Sequence, residues 1–409
     1  MGEQTEDDLV ETLLRQRPEW FGRVLERPDH YEVQVLYTQI DRDEANRPVL
    51  HPHPYRVDGE RYFYPASTVK LAGAILTLEK LNQLAVPGLD RHTPLRIDCA
   101  GEGQVAVLHD LSSPTGRPSL GHYIVKLFAA SDNEAYNRLY EFVGQERLNR
   151  GLRDRGYRDA RLTHRLSVAL GPEQNRRTNP MAFYRGAQVL YRQPAATGAH
   201  DYRHPEPIPR GRGVVESGIF RPEPLDFSGK NHLSVQVLQD LVAAVLFPEA
   251  LPPQRRFGLR PQDYDFLRRC MAILPRECRY PRCDPERYHD SYGKFLLCGD
   301  RRDPMPDHIR IFNKAGIAYG YLVDTAYVAD LERRVEFLLT AVIQVNEDGV
   351  YNRDVMTDEA YAYQAVGFPF LANLGRAIYE HELERPRPRA PDLSAFETYR
   401  HPAAGMDWG

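Results

Sequence analysis

The chain has 409 residues, 42% hydrophobic and 27% charged, the make-up of a soluble globular protein able to bury a large core in one to three domains. Its 53 Lys and Arg against 57 Asp and Glu leave a net charge of −4 with no basic stripe, which excludes a nucleic-acid-binding footprint. No apolar run is long enough to span a bilayer, so no membrane span is expected.

In chain order, Met1 to Asp8 is acidic and lacks the apolar centre of a secretory signal. Two expectations follow: a cytoplasmic protein, or a mature chain whose signal was removed. Residues 8–27 carry Leu9, Leu13, Leu14, Trp20, Phe21 and Leu25 near a 3.6-residue period, which predicts a helix. Tyr31 to Tyr37 alternates and reads as a strand, a polar turn follows over 41–48, and a second strand falls within 49–63. A strongly apolar helix runs from Ser67 to about Leu84. Further helices are predicted over 123–130, 134–143, 180–191, 233–247 and 262–274, that at 180 because proline suits a first helical position. Residues 193–230, rich in Pro, Gly, His and Arg, read as a long irregular excursion; its Arg203, Arg210, Arg212 and Lys230 either solvate it or rim a cleft.

Strands return at 309–313, 319–328 and 335–345, and a helix at 367–382 closes the pattern. The tail beyond Glu384 carries Pro386, Pro388, Pro391 and Pro402 and is expected to be mobile. Strands at both ends and helices between them imply an α+β fold. One antiparallel sheet joins residues 1–65 to 300–384 with terminal helices packed on it, and residues 66–299 form an inserted helical lobe. A cleft between the two is the natural place for a site. Of five cysteines, Cys270, Cys278, Cys283 and Cys298 lie in one stretch; they could pair or stay reduced. Cys278 and Cys283 are too far apart for a zinc-type pair, so no metal is expected.

Three short motifs stand in order: Ser67-Thr68-Val69-Lys70, Ser131-Asp132-Asn133 and Lys314-Ala315-Gly316. A chain of this length holds about one S-x-x-K by accident, but here the motif opens an apolar helix. Positions i and i+3 share a helix face, so the Lys70 amine can reach the Ser67 hydroxyl, and the helix N-terminus favours a forming alkoxide. Lysine acts as a base only if its pKa falls toward neutrality; burial and a nearby cation, for which Lys314 is the candidate, both lower it. Ser131 to Glu134 reads equally as an ordinary helix cap. Lys314-Ala315-Gly316 follows a strand, where glycine permits close approach of the backbone.

With S-x-x-K, S-D-N and a K-x-G in this order, the chain resembles the class A β-lactamases and penicillin-binding proteins. Asn137, four residues after Asn133, matches a further asparagine of that family. The resemblance implies that Ser67 is the nucleophile, Lys70 its base, Ser131 a proton relay and Lys314 a cationic anchor. It further implies that Asn133, Ala315 and Gly316 contact substrate, and that the backbone N–H groups of Ser67 and Ile317 form an oxyanion hole. The implied activity is a serine hydrolase that forms an acyl-enzyme on a β-lactam or peptide-like amide, with no metal or organic cofactor. The alternatives are a D-alanyl carboxypeptidase, amidase or esterase on the same fold, or a receptor acylated without turnover. The expected state is a monomer, and the resemblance places it in the periplasm, the cell envelope or outside the cell.

Three departures accompany the resemblance. Threonine is replaced by Ala315, and the following strand offers Asp324 where an arginine would hold a carboxylate. The Ω-shaped loop before Thr178-Asn179-Pro180 lacks the family's E-x-x-L-N pattern, leaving Glu173 as the candidate to activate water. The gap from Ser131 to Lys314 is also unusually long, with its surplus in 193–260 and 275–308.

Overall fold

The computed structural model describes residues 9–101, 104–352 and 361–408. The acidic segment 1–8, including the first residue of the predicted 8–27 helix, lies outside them. That helix is two helices, α1 (Leu9–Arg15) and α2 (Pro18–Leu25), because Pro18 cannot donate to the preceding turn and starts a new helix instead. β1 (Gln34–Arg42) and β2 (Pro48–Tyr55) pair antiparallel about the turn at 43–47. The second strand therefore ends well before Phe63. A short 3-10 turn, Ala66–Thr68, leads into α3 (Val69–Leu84), of which twelve residues are buried.

The middle of the chain is mainly helical. After the short β3 (Leu95–Ile97) come α4 (Leu120–Ala129), α5 (Asn133–Val143), α6 (Gln145–Arg153), which has no counterpart among the predicted helices, and α7 (Pro172–Arg176). The helix predicted over 180–191 is a hairpin, β4 (Met181–Arg185) and β5 (Gln188–Gln193), turning at Gly186 with φ +59°. Phe183, Tyr184, Val189 and Tyr191 are strand-favouring residues, and β3 offers β4 an edge to pair with. The excursion carries only the short strands β6 (Pro209–Arg210), β7 (Gly213–Glu216), β8 (Ile219–Arg221) and β9 (Leu225–Asp226). α8 (Val235–Leu246) and α9 (Pro261–Ala272) complete this part.

Then β10 (Ile309–Ala318), β11 (Tyr321–Asp330) and β12 (Val335–Gln344) join β1 and β2 in a five-stranded antiparallel sheet of order β10-β11-β12-β1-β2. Every residue of β11 and β12 is buried, because both sheet faces are covered. One face packs with α1, α2 and, after the short β13 (Val350–Tyr351), with α10 (Phe368–Glu384). The other packs on α8 and the apolar core that includes α3 and α5. The expected mobile tail beyond Glu384 is packed instead. Phe396 meets Phe312, Tyr327 and Phe247 at ring separations of 5.7, 5.2 and 6.1 Å, and Leu393, Tyr399 and Met406 are buried. Apolar anchors every few residues outweigh the prolines that suggested mobility. Among the described residues no helix is long and apolar enough to cross a membrane. All five cysteines are free thiols.

Candidate active site

Four segments converge where β10 meets the start of α3. The 3-10 turn places Ser67 one residue after Ala66, whose φ is +48°, and puts Lys70 in the first turn of α3. The Lys70 Nζ lies 2.8 Å from Ser67 Oγ, 2.7 Å from Asn133 Oδ1 and 3.1 Å from Ser131 Oγ, and it also donates to the Ser131 carbonyl. All of these partners are neutral. Burial first, and Lys314 second, hold the Lys70 amine well below the ordinary lysine range, with Asp132 opposing them.

Ser131 bridges two amines. Its Oγ accepts from Lys314 Nζ at 3.0 Å as well as facing Lys70. Its φ of +50° is strained for a residue with a side chain, a cost of about 1–3 kcal/mol met by the surrounding contacts. Asp132 meanwhile caps α5 by accepting from the Ala135 N–H at 2.8 Å. The capping reading of this motif is therefore realised by Asp132, while the adjacent Ser131 lies between the two amines. Lys314 is buried, donates to the Ala315 carbonyl at 2.8 Å, and is lowered by that burial to about 8 while Asp324 opposes the shift.

Gly316 is where the sheet touches the nucleophile's backbone. A Cβ there would lie 2.7 Å from Ser67 N and 2.9 Å from Pro65 O, so only glycine allows this approach. Ile317 follows with its side chain 40% exposed. Ala315 faces the opposite way. Its side chain is buried in the core under the terminal helices, which corrects the expectation that it contacts substrate. The alternation of a strand explains this, since neighbours of Lys314 and Gly316 must point to the other face.

Asp324, offered by the strand where an arginine would hold a carboxylate, is likewise on the far face, opposite Ala315 in the ladder. It accepts from the Phe295 and Leu296 N–H groups at 2.9 and 3.2 Å and from Asn313 Nδ2 at 2.7 Å. Asn313 Oδ1 in turn accepts from the buried Lys294 at 2.7 Å, which also donates to the Met271 and Ile311 carbonyls. Burial lowers Lys294 to about 7. No motif marked Lys294, and a lone lysine in an irregular segment gives no sequence signal.

The loop before β4 is held tightly against α5. Asn137 donates to the Leu166 carbonyl at 2.9 Å and accepts from the Leu166 N–H at 2.8 Å. Asn175 Oδ1 accepts from the Arg165 N–H at 2.9 Å, and Asn133 Nδ2 donates to Ser167 Oγ at 2.7 Å. Glu173 is not brought to this centre. It forms an exposed ion pair with Arg177 one helical turn on, its side chain 65% accessible. Among the described residues no carboxylate hydrogen-bonds to Ser67, Lys70, Ser131 or Lys314. The candidate base failed because α7 turns Glu173 outward, and the residue that touches Asn133 from this loop is Ser167.

Residues 26–203 match the model of the β-lactamase enzyme family. Solved structures with similar folds include a β-lactamase from Xanthomonas campestris, 14% identical, with 92% of this chain and 98% of that chain covered and a TM-score of 0.50. A β-lactamase from Desulfarculus baarsii is 15% identical, with 92% and 98% covered and a TM-score of 0.48. One from Streptomyces albus G is also 15% identical, with 92% and 98% covered and a TM-score of 0.46. No curated protein matches the sequence. The chain thus resembles the β-lactamase enzyme family over residues 26–203, and its arrangement of sheet and helices is that of the solved β-lactamase from Xanthomonas campestris.

Proposed function

We propose that the protein is a serine hydrolase that forms an acyl-enzyme on Ser67. The observation that carries this reading is the neutral environment of Lys70, whose Nζ stands 2.8 Å from Ser67 Oγ. An unprotonated amine there accepts the Ser67 proton as Oγ attacks an acyl carbon. The oxyanion that forms is held by the backbone N–H groups of Ser67 and Ile317. As the C–N bond breaks, the Ser131 hydroxyl gives its proton to the departing nitrogen and is reprotonated from Lys70. Lys314, 3.0 Å from Ser131 Oγ, steadies that relay and attracts anionic substrate. The substrate class is a β-lactam or a related amide, with Asn133 donating to its acyl side chain once Ser167 is displaced.

A second reading is favoured by the loop that carries Glu173: acylation without efficient release, as in a receptor or slow carboxypeptidase. No carboxylate among the described residues hydrogen-bonds to Ser67, Lys70, Ser131 or Lys314, and on this reading Lys70 serves the deacylating water as well. One experiment tests both. The protein is mixed with a fluorescent penicillin, and intact mass and released product are followed with time. Steady product with a transient adduct supports the hydrolase, and a lasting adduct supports the receptor. Ser67→Ala must abolish the adduct in either case. A protein that gives neither adduct nor turnover with penicillins, amides or activated esters overturns the proposal.

A further inference from the structure

The four basic residues of the excursion do not share one role. Arg210 is tied to Glu32 at 3.4 Å and to the Tyr62 carbonyl, and Arg212 donates to the Asp348 carbonyl. Arg203 is neutralised by Asp201 at 2.7 Å. Lys230 is different. Its Nζ donates to Tyr319 Oη at 3.3 Å and lies 5.3 Å from the centre of that ring, and no acid pairs with it among the described residues. An aromatic face and a phenol hold an ammonium in place without cancelling its charge.

Lys230 lines a cavity of about 210 Å³ behind the 163–175 loop, together with His164, Arg176, Val168 and the Arg203–Asp201 ion pair, whose charges cancel. The His164 Nδ1 lies 2.6 Å from the Arg165 carbonyl. A carbonyl can only accept, so Nδ1 carries the proton. Burial lowers the ring to about 4, which keeps it neutral and leaves Nε2 as a lone-pair acceptor. That Nε2 is shielded from solvent and has no partner. A buried acceptor left unmatched calls for a reason, and a bound donor supplies one.

The cavity adjoins the candidate active site. The His164 ring is parallel to that of Tyr64, three residues before Ser67, with centres 6.0 Å apart. Tyr319 follows three residues after Gly316, whose backbone touches that of Ser67. Ser167, on the same loop, contacts Asn133 at 2.7 Å. Asn133, which this loop touches, is the residue assigned to the substrate's acyl side chain in the proposed reaction, so the cavity is reached from the acyl part.

We infer that this cavity receives a carboxylate carried on the acyl part of the substrate, with Lys230 as its counter-ion and His164 Nε2 accepting from an N–H or O–H beside it. The inference rests on the acyl-enzyme reading above and names its substrate class: acyl groups with a remote carboxylate and an adjacent amide or hydroxyl.

Two measurements test it. The first uses the full chain carrying Ser67→Ala, so that acylation plays no part, and titrates N-acetyl-L-glutamate by calorimetry while the His164 ring is followed by NMR. Saturable binding that shifts the His164 signals, weakened tenfold or more by Lys230→Ala or by Lys230→Met, is expected. Lys230→Met keeps an apolar stem against Tyr319, should the alanine variant fold poorly. Absence of binding, or binding indifferent to both substitutions, overturns the inference. The second compares acylation by glutaryl and butyryl p-nitrophenyl esters in the unmodified chain. The glutaryl ester should be preferred about tenfold, and Lys230→Met should erase that preference while Arg15→Ala, an equal loss of charge on α1, leaves it intact. Equal rates for both esters reject this substrate class while the acyl-enzyme stands. No acylation by either ester rejects the acyl-enzyme reading, which the first measurement does not depend on.

Discussion

The corner formed by Ser67, Lys70, Ser131 and Lys314 and the neighbouring 163–177 loop are both held by networks of side-chain hydrogen bonds, yet they are equipped differently. In the corner each polar side chain meets another across a sequence gap, and two buried amines share one hydroxyl. In the loop the asparagine clamps are equally complete, from Asn137 to Leu166 and from Asn175 to Arg165, but the loop side chain that reaches the site, Ser167 at Asn133, is neutral. The loop keeps its shape while its one candidate base, Glu173, faces solvent beside Arg177. A frame can thus persist without the group it would be expected to present. The first half of the proposed reaction, acylation, is more fully equipped than the second.

The largest break in that contrast should come from Lys70→Met. Losing the base should slow acylation by a reporter penicillin about 10²–10⁴-fold, read by stopped-flow fluorescence. In the unmodified protein the acylation rate should rise as pH climbs past the depressed Lys70, which must be neutral to take a proton. It should fall again above about 8, where Lys314 loses its charge. A rate still climbing at about pH 10 would remove Lys314 from the relay.

Gly316→Ala should come next. The new Cβ would press on the Ser67 and Pro65 backbone, which cannot yield as a side chain can. Acylation should fall about 10–100-fold through displacement of Ser67, and urea unfolding should show a loss of about 1–3 kcal/mol. Normal acylation in this variant would mean that the β10 contact is not needed to position the nucleophile.

The smallest effect should come from Glu173→Gln, which removes only an exposed ion pair of a kind that contributes about 0–1 kcal/mol. The rate at which the Ser67 adduct disappears, followed by intact mass, should change less than about twofold. A tenfold slowing would restore Glu173 as the water-activating base and erase the contrast between the two regions.

Much of this was legible in the chain itself. The alternation at 309–345 announced β10 to β12, and the apolar run after Ser67 announced α3 with Lys70 on the same face. The hairpin at 181–193 reads as a helix in the sequence because Pro180 suits a helix start, while the edge that makes a strand favourable, β3, lies more than eighty residues earlier. The tail reads as mobile in the sequence because its prolines are local, whereas the aromatic cluster that receives Phe396 is assembled from distant segments. Ala315 is expected at the cleft because motif adjacency says nothing about which strand face is buried.

The sequence by itself determined the order of the motifs, the i, i+3 pairing of Ser67 with Lys70 and the alternation of the outer strands, because each is a local property of a few residues and their backbone geometry. Only the tertiary structure decided that Ser131 lies between two amines, that Glu173 turns outward and that Lys230 faces a cavity beside Tyr319. Those outcomes depend on burial and on contacts between segments far apart in the chain, where desolvation and close packing rather than local preference select the arrangement.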